Sequence, residues 1–218
     1  AGAKLPNLRR RGTLRNAVRG LCLSTNATLL TEELARGLLT SPLTWVAVAV
    51  DGGSPETYAD LRGGDFAQVL ANVELLLRLN REAPRELPTV ALQVIVTKTT
   101  EPELAACLAR WEGYLAASPN VRFERKPYND WAGQVQAPDL QAPDPRSGFF
   151  YLNCGYLWDT LVIGAGGEVG LCCYDVNARH GLGNAHESTL AELWHSPAVH
   201  DLRRRHARGQ LHDLPLCA

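Results

Sequence analysis

The sequence has no methionine, few aromatic residues (7%) and no excess of charge of either sign over its 218 residues. No apolar run approaches the ~20 residues that cross a bilayer, so we expect a soluble chain without a membrane partner. Lys and Arg number 22 against 23 Asp and Glu, a balance that calls for no nucleic acid. The N-terminal segment AGAKLPNLRRR is not a secretory signal, and we therefore expect a cytoplasmic protein.

The sequence does contain enough apolar residues for a core, with 45% hydrophobic and 21% charged residues. This composition excludes a disordered chain and suits one domain with a small annex. Because the chain lacks an initiator methionine and stops one residue after Cys217, we expect it to be a piece of a longer protein.

The first 130 residues alternate between β-type runs and helical segments. Predicted strands cover 21–26, 45–53, 90–97 and 121–127, and predicted helices include 31–41 and 67–80. Thr31 and Ser54 are candidate N-caps, and Thr100-x-x-Glu103 has the pattern of a capping box. The alternation predicts βαβ units around a parallel sheet, either doubly wound or closed into a barrel.

Polar residues follow each predicted strand, where ligands bind in such folds. They are Ser24-Thr25-Asn26, Asp51-Gly52-Gly53, Thr97-Lys98 and Asn129-Asp130. We predict the binding site at these strand ends, although Asn and Asp at such positions also serve merely to cap turns.

A second, smaller unit follows a linker rich in Pro and Asp at 135–148. Residues 159–175 predict a β-hairpin with an Ala-Gly-Gly turn, and Thr189-x-x-Glu192 predicts the start of a helix that ends near Gly209. We expect the basic stretches Arg9-Arg10-Arg11 and Arg203-Arg204-Arg205 to lie on solvent-exposed helix faces and not to bind RNA.

Cysteine spacing is the strongest chemical signal in this second unit. Cys154 precedes Gly167 by twelve intervening residues, Cys172 follows after four more, and Cys217 lies at the end. The hairpin and the returning helix would bring these thiols together, as soft ligands for an iron–sulfur cluster or zinc. Cys173 points to the opposite face of the strand from Cys172, and buried thiols or disulfides remain alternatives. Cys22 and Cys107 are expected in the core.

Several motifs in fixed order carry a resemblance to a known family. They are LSTNATLL (23–30), VAVDGGSPETYADLRGG (48–64), NDWAGQ (129–134), C-x12-G-x4-CC (154–173), LGN (182–184) and LPLC (214–217). Residues 21–134 resemble the core of a radical S-adenosylmethionine (radical SAM) enzyme. Residues 150–218 resemble its auxiliary-cluster domain, called SPASM or twitch.

The resemblance implies an α/β fold. Its first part is a partial (β/α)6 TIM-like barrel, incomplete at the N-terminus, over residues 1–134. A linker follows at 135–148. The last part, at 149–218, is an iron–sulfur domain made of a hairpin and a helix and truncated at its C-terminus. The implied cofactors are S-adenosylmethionine (AdoMet) and [4Fe-4S] clusters, used for radical modification of a peptide or small-molecule substrate with a flavodoxin or ferredoxin as reductant.

Residue by residue, the resemblance implies that Ser24, Asn26 and Asp51 hydrogen-bond the cofactor and that Arg62 grips its methionyl carboxylate. The implied auxiliary-cluster ligands are three cysteines, namely Cys154, Cys172 and Cys217. No catalytic residue is assigned.

Three departures from the family pattern qualify this hypothesis. The C-x-x-x-C-x-x-C motif of the catalytic cluster is absent, Ala49 replaces a usual serine, and the cysteine after Cys217 is missing. We therefore expect this chain alone to be inactive and the complete enzyme to be active. A non-catalytic iron–sulfur or zinc scaffold or electron-transfer protein is the alternative, and a disulfide-stapled secreted protein is a third.

Overall fold

The computed structural model describes residues 20–82, 86, 88–129, 131, 135, 137, 140, 154–175, 177–210 and 217. The chain divides into two compact units, Ala1–Tyr128 and Asn129–Ala218. Most of the predicted linker, the LPLC motif up to residue 216 and the basic residues 9–11 lie outside the described residues. Within the described residues, no helix is long and apolar enough to span a membrane.

The first unit is a parallel β-sheet with connecting helices. Its four strands lie in the order β1-β2-β3-β4, and each neighbouring pair is parallel. The elements in chain order are β1 (Cys22–Thr25), α1 (Glu32–Thr40), β2 (Trp45–Ala49), α2 (Pro55–Arg62), α3 (Phe66–Glu82), β3 (Thr89–Val96), a 3₁₀ turn (Glu101–Glu103), α4 (Leu104–Ala117) and β4 (Val121–Pro127). The predicted α/β class is confirmed, and the parallel sheet is consistent with a partial TIM-like barrel.

The main core lies on one face of this sheet. Alternate residues of β2 and β3, among them Val46, Val48 and Leu92, pack against the helices. Most of the intervening positions carry small or polar side chains, including Ala49 and Gln93, but Trp45 and Ile95 also lie at such positions. The second face of the sheet therefore carries small and polar groups together with the side chains of Trp45 and Ile95.

Two of the three helix starts predicted in the first unit form as expected. The side chains of Thr31 and Ser54 accept hydrogen bonds from the first turns of α1 and α2, and Pro55 occupies the first turn of α2. The predicted capping box of Thr100 and Glu103 is wrong, because neither side chain caps α4. Thr100 Oγ1 instead donates to the backbone oxygen of Ile95 near the end of β3, and the Glu103 carboxylate accepts from Gly53 N in the loop after β2.

The second unit contains a small antiparallel sheet and three helices. Its elements are α5 (Tyr156–Asp159), β5 (Val162–Ile163), β6 (Glu168–Gly170), β7 (Gly183–Asn184), α6 (Leu190–Trp194) and α7 (Pro197–Ala207). The predicted hairpin is confirmed as β5 and β6. The predicted helix start at Thr189-x-x-Glu192 is confirmed, because the two residues form a capping box at the start of α6. The single helix predicted from there to Gly209 is wrong, because Ser196 and Pro197 start a new helix.

The hairpin turn requires glycine at position 167. Gly167 has φ +87°, a conformation that L side chains rarely adopt. A Cβ atom on Gly167 would lie 2.6 Å from both Asn184 Oδ1 and His186 Cδ2. The glycine of the C-x12-G-x4-C motif thus allows β7 to approach the turn.

Arg203 is buried rather than solvated, which corrects the prediction for this member of the basic stretch. Its side chain is 8% exposed and lies over the Trp194 ring at 4.0 Å from the centroid. Arg203 Nε donates to Leu157 O at 2.7 Å. Arginine can do this because its flat guanidinium both stacks and donates. Arg203 therefore joins α5, α6 and α7.

Candidate functional site

An ion pair lies at the carboxyl edge of the parallel sheet. Asp51, directly after β2, is 2% exposed, and its Oδ2 accepts a hydrogen bond from Arg62 Nε at 2.7 Å and a second from Arg62 Nη2. The backbone N–H of Ile95 donates to Asp51 Oδ1 at 2.5 Å. The Arg62 side chain is 34% exposed. The pair therefore holds a partly exposed cation at the strand ends.

The short helix α2 explains how Arg62 reaches this edge. It starts at Pro55, four residues after Asp51, and ends two turns later at Arg62, where the following residue Gly63 is left-handed and caps the helix. Tyr58, on the same helix, is buried and contacts the Phe66 ring at 5.2 Å between centroids. Burial raises the pKa of Tyr58, and Asp51 adds to this, while Arg62 and a Thr28 hydrogen bond oppose it.

The loop after β1 lies close to this helix and is strained. Ala27 is buried with φ +59°, a left-handed conformation that is uncommon for a residue other than glycine. Asn72 Nδ2 donates to Ala27 O at 2.8 Å and to Thr28 O at 3.2 Å. The predicted site residue Asn26 is exposed, and its Oδ1 accepts from Thr28 N at 3.2 Å.

The predicted site residue Ser24 lies on the sheet face that carries small and polar side chains. It is exposed and stands in register with Ala47 of β2. On the same face Gln93 Nε2 donates to Glu124 Oε2 at 2.7 Å. Gln93 and Glu124 were not predicted as site residues, although a polar residue within a strand that is otherwise apolar or alternating is a signal in the sequence.

Glu103 is a further residue that the sequence analysis did not assign to the site. Its carboxylate accepts three hydrogen bonds, from Gly53 N at 2.6 Å, Ser54 Oγ at 2.8 Å and Thr57 Oγ1 at 2.9 Å. Burial raises the pKa of Glu103, but these hydrogen bonds outweigh it and hold the pKa below the usual value. No local sequence pattern predicts contacts between Glu103 and residues 46 to 50 positions earlier in the chain.

The second unit holds the three predicted cluster cysteines. Cys154, Cys172 and Cys217 are free and partly buried. Burial raises the pKa of Cys217, and the neighbouring Cys172 and Cys154 thiols raise it further. Burial likewise raises the pKa of Cys172, with contributions from the Cys173 thiol and, after it, the Cys154 thiol. The three thiols therefore lie within electrostatic reach of one another.

The other cysteines have different surroundings. Cys107 is buried in the core as expected, whereas Cys22 is exposed because β1 lies at the edge of the sheet. Cys173 forms a hydrogen bond with Tyr156, and this bond is the main reason why the pKa of Tyr156 is raised to about 12. All six cysteines are free thiols. In the part of the chain that the structure describes, no group of three or more His, Cys, Asp or Glu residues meets the requirements of a metal site.

The chemistry of the thiol set nevertheless fits an iron–sulfur cluster. Cysteine thiolates are the usual ligands of [4Fe-4S] clusters, and three of them share one small unit here. Cys217 also packs beside the apolar cluster of Leu157, Leu171 and Val199. An apolar lining of this kind shields a cluster from water.

Comparison with protein families gives two matches. Residues 3–106 match the Radical SAM superfamily, and residues 154–218 match SPASM, described as an iron-sulfur cluster-binding domain. No curated protein matches the chain.

Two solved structures share the fold. A polyhistidine-tagged anSMEcpe with bound AdoMet is 18% identical with a TM-score of 0.55, and the match covers 91% of this chain and 61% of that one. SuiB from Streptococcus suis is 14% identical with a TM-score of 0.52, and the match covers 84% of this chain and 50% of that one. The chain thus spans about half to three fifths of these two proteins.

Proposed function

We propose that this chain is part of a radical SAM protein and that it binds AdoMet at the carboxyl edge of its parallel sheet, because residues 3–106 match the Radical SAM superfamily and residues 154–218 match SPASM. We further propose that it holds an auxiliary [4Fe-4S] cluster in its second unit. In the complete protein both would serve radical-based modification of a peptide or a small molecule.

The observation that carries the proposal is the position of Arg62. A guanidinium has five N–H donors, and Asp51 takes two of them. The partly exposed group can therefore contact a second acceptor while the buried carboxylate fixes its orientation. A ligand carboxylate suits this planar donor fork, because Arg and carboxylate pair bidentately. The methionyl carboxylate of AdoMet is such an acceptor.

Asp51 acts in this proposal mainly through Arg62. Its two carboxylate oxygens already accept hydrogen bonds from Arg62 and from Ile95 N. A direct contact of Asp51 with the ribose stays a prediction. Ser24 and Asn26 are exposed at or near the end of β1, and we assign to them the hydrogen bonds with hydroxyl groups of the cofactor.

Cys154, Cys172 and Cys217 are the proposed cluster ligands. Cys173 is engaged with Tyr156, which favours Cys172 of the adjacent pair as the ligand. When bound, the family's cofactors supply one-electron chemistry that removes a hydrogen atom from a substrate. The residues of this chain hold, orient and shield those groups. We propose flavodoxin or ferredoxin as the electron donor.

Anaerobic reconstitution with iron and sulfide, followed by AdoMet titration in a calorimeter, tests the proposal. We expect acid-labile sulfide, a brown iron–sulfur absorbance and saturable AdoMet binding. Cluster retention without AdoMet binding would instead support the scaffold or electron-transfer alternative. An iron-free protein that binds zinc alone would contradict the cluster assignment.

Arg62→Ala and Arg36→Ala provide a matched pair for the calorimetry. Arg36 forms an exposed ion pair with Glu32 on α1, and such pairs contribute little. Loss of a charge-assisted contact at Arg62 costs about 1.5–3 kcal/mol of AdoMet binding, whereas Arg36→Ala leaves the affinity unchanged. Equal affinity in the two variants would remove Arg62 from the site.

A further inference from the structure

We propose that Glu103 is a positioning residue that holds the β2–α2 junction and, through α2, orients Arg62 toward AdoMet. The inference rests on the proposed function for its ligand. Glu103 lies outside the family motifs found in this sequence.

The junction contacts are short and converge on one carboxylate. Glu103 Oε2 accepts from Gly53 N at 2.6 Å, and Oε1 accepts from Ser54 Oγ at 2.8 Å and Thr57 Oγ1 at 2.9 Å. Hydrogen bonds to an ionised group are about twice as strong as neutral ones. Glu103 thus binds the loop, the N-cap and the first turn of α2 at once.

The close approach of Glu103 depends on glycine at position 53. A Cβ atom on Gly53 would lie 2.9 Å from Glu103 Cβ, 3.2 Å from Glu103 O and 3.3 Å from Cys107 Sγ. Gly52 has φ +91°, which only glycine adopts readily. The two glycines therefore allow the chain from Asp51 to Ser54 to pass close to the backbone of Glu103.

Both ends of α2 are held by carboxylates from outside the helix. Glu103 binds its first turn, and Asp51 binds Arg62 at its last residue. Eight residues of helix are ~12 Å long, so a tilt of ~10° at the first turn moves the far end by ~2 Å. Displacements of about 1 Å are enough to impair a site built on oriented groups.

The charge of Glu103 is essential to this role. Ser54, Thr57 and the Gly53 amide all act as donors, so the acceptor must offer lone pairs in three directions. A glutamine in its place has one oxygen acceptor and adds an N–H₂ donor. Glu103→Gln therefore keeps the size of the side chain and removes the function we assign to it.

A double-mutant cycle separates positioning from plain stabilisation. AdoMet affinity is measured by calorimetry on the anaerobically reconstituted protein for wild type, Glu103→Gln, Arg62→Ala and the double variant. We expect Glu103→Gln to weaken AdoMet binding roughly tenfold, the size of one charge-assisted hydrogen bond. Because Glu103 acts through Arg62, the double variant should bind no more than about twofold more weakly than Arg62→Ala alone.

Glu101→Gln is the matched control, since Glu101 lies on the same 3₁₀ turn and is exposed. Its AdoMet affinity should equal that of wild type. Additive losses in the double variant, or an unchanged affinity in Glu103→Gln, would overturn the inference. Should Glu103→Gln fail to fold, Thr57→Val removes one donor at nearly constant shape and should show a smaller loss with the same non-additivity.

Hydrogen exchange gives a readout that does not need AdoMet. Amides of α2 should exchange at least tenfold faster in Glu103→Gln, while those of α1 and α3 keep their rates. Unchanged protection of α2 would contradict the junction role. A wild-type protein that fails to bind AdoMet while α2 responds as expected would contradict the proposed function and leave the role of Glu103 at the junction supported.

Discussion

Arg62 and Asp51 form an ion pair across the loop that joins β2 to α2, with the carboxylate buried and the guanidinium partly exposed. The arrangement differs from an ordinary surface ion pair, because a backbone N–H of β3 holds the second carboxylate oxygen. The aspartate is thus fixed by the sheet and the arginine by the aspartate. We therefore expect substitution of Asp51 to affect the stability of the fold, and substitution of Arg62 to affect ligand binding.

Asp51→Asn should lower the free energy of unfolding by about 2–3 kcal/mol, because the amide cannot accept from Arg62 and Ile95 as the carboxylate does. Asp60→Asn on the exposed side of α2 is the control and should change stability by less than about 0.5 kcal/mol. Chemical denaturation of both variants measures the difference. Equal stabilities would show that the Asp51 pair does not contribute to the fold.

Asn72→Ala should destabilise the strained loop after β1. The substitution leaves the carbonyl oxygens of Ala27 and Thr28 without the Asn72 amide, at a cost of about 1–3 kcal/mol. Gln68→Ala removes only a hydrogen bond to Asn72 from an exposed side chain and should cost less than about 0.5 kcal/mol. Similar losses in thermal unfolding for both would contradict this role of Asn72.

Because the pKa of Glu103 is lowered in the folded state, we expect its contribution to the free energy of unfolding to depend on pH. Its hydrogen bonds hold its pKa in the folded state below the usual carboxyl value, so its contribution is fully present above that value. The contribution is lost as the pH falls through the depressed folded-state pKa. The difference in unfolding free energy between wild type and Glu103→Gln should therefore be constant near pH 7 and shrink below about pH 4. A difference that stays constant on acidification would argue against an ionised clamp.

Arg203→Lys should destabilise the second unit nearly as much as Arg203→Ala. A lysine ammonium cannot both stack flat on Trp194 and donate through Nε to Leu157 O, and we expect a loss of about 2–3 kcal/mol. Arg204 is exposed, and Arg204→Ala is the control. Calorimetric melting of the second unit measures the change, and full rescue by lysine would show that charge alone is needed.

Most of the strands and helix starts predicted from local signals are confirmed. β-type apolar runs indicated the four parallel strands, and Ser54 with Pro55 marked the start of α2, because hydrophobic patterning and capping are local properties. The break between α6 and α7 was equally local and was missed, since Ser196-Pro197 carries the same signal as Ser54-Pro55.

Contacts between residues far apart in the chain could not be predicted from local sequence patterns. Thr100-x-x-Glu103 has the local pattern of a capping box, but Glu103 binds donors about fifty positions away, and no spacing rule contains that contact. Arg203 likewise looked like its exposed neighbours, and only the packing of three helices shows that it is buried. The roles of Ser24, Asn26 and the three cluster cysteines stay predictions that rest on the family pattern.

The most direct test of the central claim is the iron and sulfide content of Cys172→Ala beside Cys107→Ala after anaerobic reconstitution. Cys107 is a buried core thiol, so its variant controls for the loss of a cysteine. The proposed ligand set predicts that Cys107→Ala keeps the wild-type iron and sulfide content, while Cys172→Ala loses the auxiliary cluster. Equal iron and sulfide in the two variants would contradict a cluster held by Cys154, Cys172 and Cys217.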